Sequence, residues 1–94
     1  MAISLNITLP NGTTPAYHLI TQVLLRPVVQ NFDLLIYSFD SQTVYQNGGA
    51  ADNIINDYQQ IPYSALGQGT IDTTQLEIYT YLLTLPEWAG ATLV

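Results

Sequence analysis

Cysteine is absent from this 94-residue chain, and so is lysine. Without cysteine there is no disulfide framework, thiolate metal site or cysteine nucleophile. Without lysine, Arg26 is the single strong cation, set against five Asp and two Glu for a net charge of −6. One cation cannot neutralise a phosphate backbone, so nucleic acid is not an expected partner. Docking on an anionic membrane fails for the same reason. No apolar run reaches the roughly 18 residues of a transmembrane helix. The first residues have no basic region and no long apolar stretch, so no signal peptide is expected. Synthesis in a cytoplasm follows as the expectation.

Charge of either sign is scarce. Charged residues make up 9% of the chain and apolar residues 48%, where a soluble domain averages roughly 25% charged. Seven Tyr, two Phe and one Trp argue against disorder. At this length the chain is one domain, residues 1–94, without covalent staples.

Ile3, Leu5, Ile7 and Leu9 alternate with Ser4, Asn6 and Thr8, the period-two pattern of a strand with one dry face. Pro10-Asn11-Gly12 predicts a turn. A second strand is predicted over 16–29, with Tyr17, Leu19, Val23 and Leu25 on one candidate core face. His18, Gln22 and Arg26 share the other face with Ile20 and Leu24. After Gln30-Asn31, the run 32–40 is rich in aromatic and β-branched residues, so the two runs predict a long antiparallel hairpin. Ser41 is a candidate cap for a short helix ended by Asn47-Gly48-Gly49, with a continued strand or a loop as alternatives. Residues 53–63 read as one more strand and 64–70 as a loop. Thr74-Gln75-Leu76-Glu77 fits a capping box at the start of a C-terminal helix that Pro86 ends. The uncharged tail after Trp88 is expected to pack against something. The predicted fold is α+β: a small antiparallel sheet of three to four strands, built on a long central hairpin, with the C-terminal helix packed on one face.

Chemistry-bearing patterns are thin. His18 is the only histidine and reads as a surface or interface residue, with no Gly-x-Ser-x-Gly elbow in the chain. Zinc needs more nitrogen or sulfur ligands than the chain has. The oxygen-rich run 52–57 lacks the spacing of a calcium loop. No enzyme activity, cofactor or metal is therefore expected. Tyrosine is the more telling residue, because its ring is apolar and its tip hydrogen-bonds. Seven of them, with so little charge, predict outward-facing aromatic surface that is covered by other subunits. Arg26, Tyr37, Tyr58, Tyr63 and Trp88 are the candidate assembly residues. Arg26 has two readings, a carboxylate across an interface or Asp33 within the chain. Tyr37, Tyr58 and Trp88, with neighbouring amides, are also the candidate rings for a host-surface glycan.

The opening Met-Ala-Ile-Ser-Leu-Asn-Ile-Thr-Leu-Pro-Asn-Gly and the closing Tyr81-Leu-Leu-Thr-Leu-Pro-Glu-Trp-Ala-Gly-Ala-Thr92 resemble the ends of small virion-associated proteins of tailed bacteriophages. The resemblance implies a structural role at the tail or its tip and a virion location. Such a role makes other virion proteins the expected partners, and the scarcity of charge adds homo-oligomeric assembly as an expectation. The resemblance carries over no catalytic residue. A capsid decoration or cement protein is the alternative, as is a carbohydrate-binding module at the tail tip.

Overall fold

A computed structural model describes residues 2–66 and 75–94, with the side chains of residues 75–77 excluded. Six short and long strands form one antiparallel sheet: β1 (Ile3–Ser4), β2 (Tyr17–Arg26), β3 (Asn31–Phe39), β4 (Asn53–Ile55), β5 (Ile61–Pro62) and β6 (Thr92–Leu93). Two helices, α1 (Gln42–Gln46) and α2 (Gln75–Leu83), and two 3-10 turns, Tyr63–Leu66 and Pro86–Trp88, complete the described elements. The sheet order is β4-β3-β2-β1-β6, with β5 also paired to β3.

The β2–β3 hairpin is the centre of this order, as its long β-branched and aromatic runs predict. The turn between its strands falls at Pro27–Gln30, where Pro27 removes a ladder donor and Gln30 takes a left-handed φ of 56°. Alternation along β3 is regular up to its end: Phe32, Leu34, Ile36 and Ser38 are buried and alternate with half-buried residues, and Phe39 is buried as well. Along β2 it is not. His18 and Ile20 stand opposite Ser38 and Ile36, whereas Val23 and Leu25 stand opposite Leu34 and Phe32. An irregularity between Ile20 and Gln22 shifts the register. One extra residue there reverses the parity, so even-numbered residues face the core before the bulge and odd-numbered ones after it. The predicted core face of Tyr17, Leu19, Val23 and Leu25 is therefore split between the two sides of the sheet.

The first segment keeps its predicted alternation, with Asn6 and Thr8 exposed and Leu5, Ile7 and Leu9 half-buried. Its formal strand is short. Backbone bonds from Leu5 N–H to Ala16 O (3.1 Å), Ile7 to Pro15 (3.0 Å) and Leu9 to Thr13 (2.8 Å) carry the pairing on to the Asn11-Gly12 turn. Gly12 adopts a φ of +90° there, and Asn11 Oδ1 accepts from the Thr13 amide and hydroxyl. The region 53–63 is broken into β4, β5 and a 3-10 turn, not one strand. Gln60, with a φ of 55°, stands at the break. Ser41 caps α1 by accepting from the Val44 amide at 3.2 Å, and Gly48, with a φ of +77°, follows its end. The Thr74–Glu77 capping box and the 67–70 loop lie outside the described residues.

Ile3, Phe32, Leu34, Ile36, Ile61 and Tyr63 form a buried cluster joined by Ile78, Tyr79 and Leu82 of α2 and by Trp88. The Tyr79 hydroxyl accepts the Ile20 amide at 2.9 Å. The tail after Trp88 packs on its own chain. β6 pairs with β1, Ala91 and Leu93 pack on the cluster, and Ala2 and Val94 exchange both backbone hydrogen bonds. On the opposite side of the sheet, α1 contacts β3 and places Tyr45 on Tyr17 and Phe39, with ring centroids 5.6 and 5.1 Å apart.

Candidate functional site

The predicted site residues do not meet on one surface. Trp88 is 2% exposed and Tyr63 5%, both inside the chain's own core. Tyr58 is half-buried beside Trp88. Its hydroxyl accepts from the indole Nε1–H at 2.7 Å and donates to Glu87 Oε1 at 2.9 Å. Burial pushes the Tyr58 phenol up to about 12, with the Glu87 carboxylate adding to the shift. Tyr37 stands opposite Leu19 and Ile54 and has the parity of the other sheet face. The three rings offered for a glycan therefore divide between two faces, with the largest one covered.

Histidine 18 is not at the surface. It is fully buried, its Nδ1 is 2.8 Å from Ser38 Oγ, and its Nε2 is 2.8 Å from the Leu5 carbonyl. A carbonyl can only accept, so Nε2 carries the proton and Nδ1 accepts from the Ser38 hydroxyl. The Trp88 ring meets the imidazole edge-on at 5.1 Å. Burial holds the imidazole below its ordinary pKa of 6.5, and the Leu5 contact opposes that shift. The cause of the misplacement is the bulge, which turns the even-numbered start of β2 inward. The Ser–His contact resembles the nucleophile–base pair of a hydrolase, yet Ser38 is buried as well and, among the described residues, no carboxylate bonds the ring. What this arrangement does is join β2 to β3 and to the segment after β1. Among the described residues, no three His, Cys, Asp or Glu side chains are grouped to hold a metal, and no helix is long and apolar enough to cross a membrane.

The distal part of the hairpin differs from everything above. Arg26 grips both carboxylate oxygens of Asp33, and the Gln60 amide donates to Asp33 Oδ1 at 2.7 Å. The Arg26 guanidinium, followed by that amide, lowers the Asp33 carboxyl to about 2. Arg26 thus takes its carboxylate within the chain. Around this pair lie Leu24, Leu25, Val28 and Val29, four of the exposed large apolar side chains; Val28 is 97% exposed. Beside Leu24 and Leu35, the rim of Gln22, Asn56 and Gln59 outlines an open groove of about 160 Å³.

The exposed apolar surface is mainly aliphatic. Of the seven tyrosines, Tyr63 and Tyr79 are buried, Tyr45 is exposed, and the other four are half-buried. Leu24 falls on the mixed face of the second strand, which suits either solvent or a partner, and it is exposed; Val28 and Val29 are legible as apolar residues but not as exposed ones, because nothing in the sequence marks where the cover ends. The chain matches no protein-family model, and no curated protein or solved structure is significantly similar to it.

Proposed function

We propose that this chain is a structural subunit of a tailed-bacteriophage virion, at the tail or its distal apparatus, and that it acts by protein–protein assembly. One observation carries the assembly part: four aliphatic side chains stand exposed around the far turn of the central hairpin. Water-exposed apolar clusters on soluble chains mark contact surfaces. The tail placement rests on the likeness of the two chain ends to small virion proteins. In this reading the C-terminal helix is packed on one face of the sheet and closes the core. The free hairpin end then reaches a neighbour. Repetition of one modest contact around a symmetric ring or trimer multiplies its effect.

The test is mass spectrometry of purified particles after separation into tails and capsids, alongside light scattering of the isolated protein. Enrichment in the tail fraction is the expected result. Recovery with the shell would replace the tail by a capsid decoration role, and absence from both would end the virion reading.

A further inference from the structure

The outer edge of β2 is half covered. β1 pairs only with Tyr17 and His18, and the Ile20 amide is taken by Tyr79. Beyond the bulge, Gln22–Arg26 pairs regularly with β3 on one side and with no strand on the other, among the described residues. An open edge is a template for a further strand, and proteins usually blunt it with lysine, unpaired charge or proline. Here no lysine is available, Arg26 is neutralised by Asp33, and Pro27 comes only after the strand.

Charge selects the occupant. Residues 17–39 carry Arg26 and Asp33 as their only strong charges, so the net −6 resides outside the hairpin. Two copies repel through most of their surface and meet without repulsion at this end. The sequence of the edge is also self-complementary. Laid antiparallel on itself about Leu24, it sets Leu24 against Leu24, Val23 against Leu25, and Gln22 against Arg26. Directly opposed residues share a face, so the apolar pairs and the amide–guanidinium pair fall in register on both sides.

We propose that Gln22–Arg26 of β2 pairs with the same segment of a second copy, antiparallel about a two-fold axis at Leu24, and joins two sheets into one. The inference names a self-contact within the assembly reading above and rests on it. The exposed aliphatics amount to on the order of a few hundred Å². That is short of the roughly 800 Å² per partner of a stable interface, so the backbone edge must contribute as well. Such a closed contact is isologous and ends at a dimer.

Light scattering across micromolar to millimolar concentration tests it, with Leu24→Lys and Leu24→Cys as variants. A reversible dimer is expected. Leu24→Lys sets two ammonium groups face to face and is expected to weaken it by about tenfold or more. Opposed Cβ atoms in such a pair lie about 4.5–5.5 Å apart, so Leu24→Cys is expected to form a disulfide dimer under mild oxidation. Ile54→Cys, on the exposed strand β4, is the control that stays monomeric. A dimer indifferent to Leu24→Lys, or cross-linked at Ile54 instead, overturns the proposal. If Leu24→Lys misfolds by circular dichroism, the two cysteine variants decide alone. A monomer throughout also overturns it. If that monomer is still found in phage tails, the assembly reading stands and the partner is a different chain; if it is absent from them, both fail.

Discussion

The two halves of the β2–β3 hairpin are made of similar residues and live in different surroundings. Near its open end, Tyr17–Ile20 and Ile36–Phe39 are flanked by β1, by β4 and by the Tyr45 ring. A histidine and a serine are fully enclosed there, each with a partner. Near its turn, Leu24, Leu25, Val28 and Val29 stand in water. One ribbon thus encloses a polar pair at one end and exposes four aliphatic side chains at the other, while Phe32, Leu34 and Ile36 between them fill the core. Partners resolve the first half, because a buried donor with an acceptor costs little. Among the described residues the second half has no such resolution, and the proposed assembly contact is placed there for that reason.

Substitutions test this contrast. Trp88→Ala has the largest expected effect, a loss of about 3–5 kcal/mol of stability, since it empties the site against His18 and removes the indole donor to the Tyr58 hydroxyl. Chemical denaturation measures it, and a loss below about half a kcal/mol would show that the enclosed half does not hold the fold. His18→Ala comes next, at about 2–3 kcal/mol, from a cavity and two orphaned polar groups. The same histidine makes stability depend on pH. Its folded pKa lies below the ordinary 6.5, so the unfolded chain binds the proton first. Stability is therefore complete above about pH 6.5 and falls as the pH drops below it. Thermal melts from pH 8 to pH 5 should show that fall in the wild type, and His18→Gln should flatten it.

A smaller pH effect comes from the distal half. Asp33 is held at about 2 against an ordinary 3.8, so the stability its pair with Arg26 adds is complete above about pH 3.8 and lost as the pH falls through about 2. Asp33→Asn should remove that acid limb. Leu24→Ala should change stability least, by less than about 0.5 kcal/mol. A large loss there would erase the contrast between the halves by showing that the exposed end is part of the core.

Much of the frame was legible in the residues. The alternation of 3–9, the Asn11-Gly12 turn, the central hairpin and the Ser41 cap each depend on local chemistry, and each is found. Burial of His18 was not legible, because parity was carried through residue 21 without interruption. A bulge depends on how two strands meet and leaves no local mark. Seven rings in so small a core predict that some face outward, and Tyr45 does. Half-burial, as in Tyr58, or full burial with the hydroxyl bonded, as in Tyr79, accommodates most of the others. The other outward-facing apolar residues are mainly leucine and valine, and only the end of the neighbouring strands shows where their cover stops.

The register irregularity between Ile20 and Gln22 also sets how the chain tolerates changes in length. Thr21 is the extra residue, so deleting it would straighten β2 and leave the pairing on either side as it is. Val23 and Leu25 would stay opposite Leu34 and Phe32, and His18 and Ile20 opposite Ser38 and Ile36. A one-residue loss at this point is thus less disruptive than one elsewhere on the same strand, where the side chains next to it change face. Among related chains, β2 should occur both with and without this one residue.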